Sequence, residues 1–146
     1  MRRVRVVLLV FVAMLLACGS PPVFVRVRTD DPAWAAPTGS LRSVRVRVTN
    51  VTEPPPPDRF FRDYRIGTGA EETRFPFYLK GLPQDGSAGQ VVRVTVYGCS
   101  SPECDPDMGR ETVVIVRNTV IFPFPSEQIG WIDVLLSRRC EGVVLG

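Results

Sequence analysis

The side chains in this 146-residue chain that could do chemistry do not include histidine, because the sequence has none. Neither a Ser-His-Asp nor a Cys-His catalytic arrangement can therefore form within the chain. The most common general base and metal ligand is missing as well. The sequence also has no Gly-x-Ser-x-Gly nucleophile motif and no Walker loop. Carboxylates are frequent, but no pair stands out, so we predict a protein that is not an enzyme.

The most distinctive segment for chemistry is a polar loop from Cys99 to Gly109. Cys99 and Cys104 flank four residues between two predicted strands, and an oxidising compartment favours a local disulfide between them. A zinc site would need a fourth ligand, such as Asp105, beside Cys99, Cys104 and Cys140. Both the spacing and the compartment argue against zinc.

The same loop carries three alternating acids, which are candidate calcium ligands: Glu103, Asp105 and Asp107. The EF-hand spacing is not met, because the loop lacks the required glycine and the closing glutamate. The simpler interpretation is a solvated acidic turn. We therefore predict no metal and no other cofactor, and keep these three acids as the candidate ligands of a site of another type.

Arginines occupy the outward positions of the first two predicted strands, at Arg26, Arg28, Arg45 and Arg47. If the two strands were neighbours, the four side chains would form one basic patch facing anionic lipid headgroups. The alternative is a solvated face, neutralised by acids on neighbouring strands. Trp131 also falls on the outward phase of its strand and is predicted to be exposed. The other clustered aromatic residues are predicted to be core: Phe60, Phe61, Tyr64, Phe75, Phe77 and Tyr78.

The elements that must position these residues are strands, because apolar residues recur with a period of two and no helical period follows the N-terminal segment. Seven strands are predicted, at 23–28, 41–50, 60–66, 73–80, 90–98, 111–120 and 128–137. The sixth is apolar on both sides and is predicted to be central. We predict an all-β fold, a single seven-stranded antiparallel sandwich whose two sheets bury their valine faces. The immunoglobulin disulfide and tryptophan spacing is absent, so the likeness to that fold is architectural.

The first eighteen residues form a separate unit. Arg2, Arg3 and Arg5 precede an apolar run from Val6 to Ala17, which is typical of a secretory signal. About 12 apolar residues are too few to span a bilayer, which needs roughly 20. We predict a signal helix over 1–17, a short tether over 18–22, a β-sandwich domain over 23–140 and a tail over 141–146. The four residues after Cys18 reach at most about 13 Å.

The segment Leu15-Leu16-Ala17-Cys18 resembles the lipobox of bacterial lipoproteins. This resemblance implies cleavage before Cys18 and lipidation of its side chain. The chain is also similar to transthyretin-like sandwich modules and to small lipoproteins of Gram-negative bacteria, whose last strand ends Leu-x-x-x-Cys as at Leu136 to Cys140. Gly19 is not the aspartate that this family associates with inner-membrane retention, which favours the outer membrane.

Charge excludes one class of partner. The net charge of +3 is carried entirely by Arg2, Arg3 and Arg5, so the remaining chain is neutral and gives no reason to expect a nucleic-acid partner. The sequence predicts a non-catalytic lipoprotein of the cell envelope, a structural or protein-interaction module held to the membrane by the lipid on Cys18. Envelope proteins or polysaccharide are its expected partners. The alternative is a ligand-binding module for cell-surface carbohydrate or a metal ion.

Overall fold

The computed structural model describes residues 23–35, 37–51, 60–82, 90–106, 114–123 and 130–143. The predicted signal helix, Cys18 and the tether lie outside these residues. The described residues form seven strands: β1 (Val23–Thr29), β2 (Ser43–Asn50), β3 (Phe60–Arg65), β4 (Phe77–Leu82), β5 (Val91–Cys99), β6 (Val114–Pro123) and β7 (Gly130–Leu136). Short 3₁₀ turns at Pro32–Ala35 and Arg138–Cys140 accompany them. The predicted all-β class is confirmed.

The strands form two sheets. One has three strands in the order β4-β1-β7, and the other has four in the order β3-β2-β5-β6. The prediction that all strands pair antiparallel is wrong at one place, because β1 and β7 run parallel. A parallel pair needs a long connection, and residues 30–129 lie between these two strands. The other pairs are antiparallel.

Valines at alternate positions of the central strands build the core between the sheets. The three inward valines of β1, Val23, Val25 and Val27, are fully buried. The inward valines of β2 and β5 are also fully buried: Val44, Val46, Val92, Val94 and Val96. Each such side chain contributes roughly 1.5–3 kcal/mol by leaving water. This predicted alternation is confirmed in all three strands and leaves the intervening side chains on the outer faces.

Strand β6 lies at an edge of its sheet, so the prediction that it is central is wrong. Its apolar character has another cause. Val116 faces the core at 3% exposure, and Ile115 packs partly buried against the same core. The C-terminal segment adds polar contacts, since the Gly142 N–H donates to the Ile115 carbonyl at 2.9 Å. In addition, the Asn118 amide of β6 donates to the Leu135 carbonyl of β7 at 2.8 Å.

Strand β4 begins later than predicted. Its first residue is Phe77, directly after a cis Phe75–Pro76 peptide bond. Thr73, predicted to start the strand, forms an isolated bridge with Ile66 instead. β4 is an edge strand, which suits Pro76 just before it, because proline has no N–H to give to a ladder.

A buried tryptophan follows the C-terminal end of β1, in a segment for which the sequence predicted no strand. Trp34 is 1% exposed, and its indole N–H donates to the Ser40 hydroxyl at 2.7 Å. That hydroxyl donates in turn to the Glu141 carboxylate at 3.0 Å. A Cβ at Gly39 would lie 1.9 Å from the Trp34 carbonyl oxygen, so only glycine fits there. A hydrogen bond between Ser40 and Glu141 therefore connects the loop after β1 to the C-terminal turn.

Candidate binding surface on the three-stranded sheet

The outer face of the three-stranded sheet is where the structure brings unexpected side chains together. Because the valines of β1 point inward, Phe24 and Arg26 point outward. In the parallel register Phe24 lies opposite Trp131, and Arg26 lies opposite Asp133. On the other side, Arg26 lies opposite Tyr78 of β4. We call Phe24, Arg26, Tyr78, Trp131 and Asp133 the aromatic face.

Two of its rings form a stack that remains open to solvent. The Phe24 and Trp131 ring centroids are 4.9 Å apart with an angle of 23° between the ring planes. Trp131 is 66% exposed, as its outward phase predicts, and Tyr78 is 50% exposed. Exposed aromatic rings that lie next to each other on a protein surface can mark a place where a partner binds.

The polar part of the aromatic face is an ion pair fixed at two points. Arg26 Nε donates to one carboxylate oxygen of Asp133 at 2.6 Å, and Nη2 donates to the other. This pairing lowers the pKa of Asp133 below its ordinary value near 3.8. It also raises the pKa of Arg26, to which a hydrogen bond with Tyr78 adds. Arg26, Tyr78, Trp131 and Asp133 line an open hollow of about 550 Å³.

The predicted basic patch does not form, which corrects a central expectation. Arg26 and Arg28 lie on the three-stranded sheet, whereas Arg45 and Arg47 lie on the four-stranded sheet. The sequence pattern gives the outward phase of each strand, but not which strands are neighbours. Acids also interleave with the arginines, because Asp133 holds Arg26 and Asp63 holds Arg45.

The outer face of the four-stranded sheet is built around Arg45. Its Nε and Nη2 atoms donate to the two oxygens of Asp63 at 2.7 and 2.8 Å, and its Nη1 donates to Asp105 at 3.2 Å. The Asp63 hydrogen bonds raise the Arg45 pKa. The guanidinium also lies 5.4 Å from the ring centroid of Phe61. We call Arg45, Phe61, Asp63 and Asp105 the ion-paired face; beside it lies a smaller hollow of about 390 Å³.

The disulfide between Cys99 and Cys104 is present, with the two Cα atoms 5.6 Å apart. Both cysteines are buried, while Cys140 is exposed and bonded to neither. The buried Ser43 hydroxyl donates to the Ser101 carbonyl at 2.6 Å and so fastens the loop to β2.

The structure describes two of the three candidate calcium ligands. Glu103 is exposed, Asp105 is held by Arg45, and Asp107 lies outside the described residues. Within the part of the chain that the structure describes, no three acidic or cysteine side chains come close enough to hold a metal ion.

Sequence reasoning missed most of the aromatic face. Tyr78 was predicted to be core, and Phe24 and Asp133 were given no role. Phe61 was also predicted to be core but is 59% exposed, whereas Tyr64, Phe75 and Phe77 do pack with the core as predicted. The side chain of Phe60 is not among those that the structure describes. The outward phase of β1 could have indicated Phe24, but its neighbour Trp131 depends on a pairing between opposite ends of the chain.

The described residues include no helix that is long and apolar enough to cross a membrane. No protein-family model, curated protein or solved structure matches the chain.

Proposed function

We propose that the chain is an exported, non-catalytic interaction module, anchored to the cell envelope by a lipid on Cys18. The observation that carries the proposal is the aromatic face, which leaves Trp131 66% exposed beside a fixed ion pair. A surface of exposed rings and oriented polar groups is typical of binding sites, in which aromatic residues carry much of the binding energy.

The finer fold belongs to this proposal. Two sheets that bury their valines against each other support an immunoglobulin-like or transthyretin-like sandwich. In such an architecture the outer faces and end loops are the surfaces available to partners. The outer membrane, favoured by Gly19, remains the proposed location.

Two observations support export. The first is the sequence of the N-terminal segment, with its arginines, apolar run and Leu-Leu-Ala-Cys ending. The second is the buried disulfide, since such bonds persist in oxidising compartments and are rare in the cytosol of most organisms.

Carbohydrate binding is the second candidate function, and the open hollow over Arg26 and Asp133 favours it. Sugar rings stack on exposed indoles, and an ion pair offers donors and acceptors to hydroxyl groups. The metal-ion alternative has no comparable support, because Asp105 is already engaged by Arg45.

The anchor is tested by metabolic labelling with an alkyne fatty acid. We expect the full chain to be labelled, and the Cys18→Ala variant to remain unlabelled. Equal labelling of the two chains, or no labelling of either, would contradict the proposal.

The binding surface is tested by placing a photo-crosslinking phenylalanine analogue at position 78 and, as the matched control, at position 61. Tyr78 and Phe61 are comparably exposed, but they lie on opposite sheets. We expect adducts from position 78 in intact envelopes and far fewer from position 61. Equal yields at the two positions would contradict a dedicated binding face.

A further inference from the structure

We propose that the stacked pair of Phe24 and Trp131 docks onto the interface of the membrane to which the chain is anchored. This inference rests on the proposed lipidation of Cys18 and names the first partner of the aromatic face. It replaces the predicted basic patch as the element that sets how the domain stands on the membrane.

The position of the pair in the fold is the first argument. Phe24 is the second residue of β1 and comes six residues after Cys18, a distance that an extended chain covers in at most about 20 Å. Trp131 is the second residue of β7, and the parallel register places it beside Phe24 at the same end of the sheet. The half-buried Phe24 and the exposed Trp131 are therefore at the end of the domain that the anchor holds near the bilayer.

The chemistry of the pair is the second argument. Tryptophan is enriched at membrane–water interfaces, because its large apolar ring and its N–H suit the boundary between headgroups and chains. Phe24 supplies a purely apolar surface to the same stack. Two residues further along β1, the Arg26–Asp133 pair forms a locally neutral polar border that can stay among the headgroups.

The ion pair also explains why rings rather than charges would make the contact. Both Nε and Nη2 of Arg26 are already donated to Asp133, so this guanidinium has less to offer an anionic headgroup. We therefore expect docking to depend weakly on lipid charge. This separates it from the electrostatic attraction that a polybasic patch would produce.

Effective concentration is the third argument, and it favours the bilayer over carbohydrate as the first occupant. A short tether presents its own membrane to the rings at a high effective concentration, so even a weak affinity keeps them docked. A soluble or wall-bound glycan receives no such advantage and would have to displace the membrane from Trp131.

The chain offers a built-in reporter for the test. It has two tryptophans: Trp131 in the exposed stack, and Trp34, which is 1% exposed and lies beyond the opposite end of β1. The lipidated protein, which begins at Cys18, is reconstituted into vesicles of plain phosphatidylcholine, or of phosphatidylcholine brominated near the carbonyl end of its chains. Bromine quenches only the indoles that it contacts. Wild type is compared with Trp131→Phe, whose remaining emission comes from Trp34.

We expect bromine to reduce the Trp131 component of the emission by about twofold, since an indole at the interface lies beside the upper chain segments. Emission from Trp131→Phe should not change. The matched control is Phe61→Trp combined with Trp131→Phe, which places a similarly exposed indole on the ion-paired face and should also escape quenching.

Three results would overturn the inference. Equal emission of the Trp131 component in plain and brominated vesicles would show that this indole does not reach the membrane interface. Quenching of the indole at position 61 as strong as that of Trp131 would mean an unoriented domain. If the Trp131 emission changes with added neutral polysaccharide but not with bromine, the aromatic face binds carbohydrate and not the membrane. Failed fatty-acid labelling would be a separate result, because it removes the anchor before any vesicle is made.

Discussion

The two outer faces of this molecule arise from the same alternation of valine and arginine, yet they end in different states. On the ion-paired face, Arg45 is joined to Asp63 and Asp105, and its side chain is only 13% exposed. On the aromatic face, Arg26 has a single carboxylate partner and a 40% exposed side chain, next to a tryptophan that is largely in water. One face joins its arginine to two acids, whereas the other joins its arginine to one acid beside a stacked indole that is largely in water.

The difference comes from the partner strands. β2 is flanked by β3 and β5, and two acids, one from β3 and one from the disulfide loop, converge on Arg45. β1 is flanked by β4 and β7, which place one acid, Asp133, and the rings of Tyr78 and Trp131 around Arg26. A strand's own sequence thus sets which side chains point outward, and its neighbours decide whether those side chains form a closed surface or a binding surface.

The largest expected effect comes from crowding the hydrophobic core at Gly98. A Cβ there would lie 2.5 Å from a methyl group of Val116 and 2.8 Å from one of Leu41, with Leu136 of the other sheet at 3.6 Å. Gly98→Ala should therefore lower the free energy of unfolding by roughly 2–3 kcal/mol through overpacking. Denaturant unfolding followed by circular dichroism measures it.

The control for this prediction is Gly98→Ala combined with Val116→Ala, which removes the closest methyl group. If crowding is the cause, the double variant should lose less stability than the sum of the two single variants. Additive losses would mean that glycine is needed at position 98 for another reason.

A smaller effect, confined to one face, is expected from removing the disulfide with Cys99→Ala and Cys104→Ala. The two cysteines are five positions apart, so opening this short loop should lower the free energy of unfolding by about 2 kcal/mol. The exposure of Trp131, measured by acrylamide quenching, should not change, because the bond belongs to the other sheet. A change in Trp131 quenching would show that the two faces are coupled.

Much of the fold could be predicted from the sequence, because burial imposes a period of two on every strand. All seven strands were predicted, and the inward valines of β1, β2 and β5 are the buried ones. Sheet order could not be predicted, since it depends on contacts between distant segments. The parallel pairing of β1 with β7 and the edge position of β6 both belong to that class.

The candidate site was less predictable for the same reason. Trp131 could be recognised as outward from its own strand, and the Cys99–Cys104 pair from its spacing. Phe24 and Asp133 gained meaning only when β7 was placed beside β1. Likewise, the predicted basic patch failed because β1 and β2, adjacent in sequence, belong to different sheets.

The smallest expected effect is a change in the pKa of Asp133 when its ion pair with Arg26 on the aromatic face is broken. The Asp133 pKa is lowered mainly by its hydrogen bonds from Arg26. In Arg26→Gln, the carboxyl pKa, followed by NMR titration, should rise back toward its ordinary value near 3.8. The pKa of Asp133 is lower in the folded state than in the unfolded state, so the ion pair stabilises the fold at pH values above the ordinary carboxyl pKa. That contribution is lost as the pH falls through the folded-state pKa.

The matched control for this titration is Arg28→Gln. Arg28 acts on Asp133 only through its charge and contributes less to the shift than Arg26 does. We therefore expect a clearly smaller rise in the Asp133 pKa for Arg28→Gln than for Arg26→Gln. Equal shifts would mean that the general positive potential of β1, and not the two-point pair, sets the carboxyl pKa. In that case Arg26 would be available to an anionic headgroup, and docking of the aromatic face should then become sensitive to salt and lipid charge.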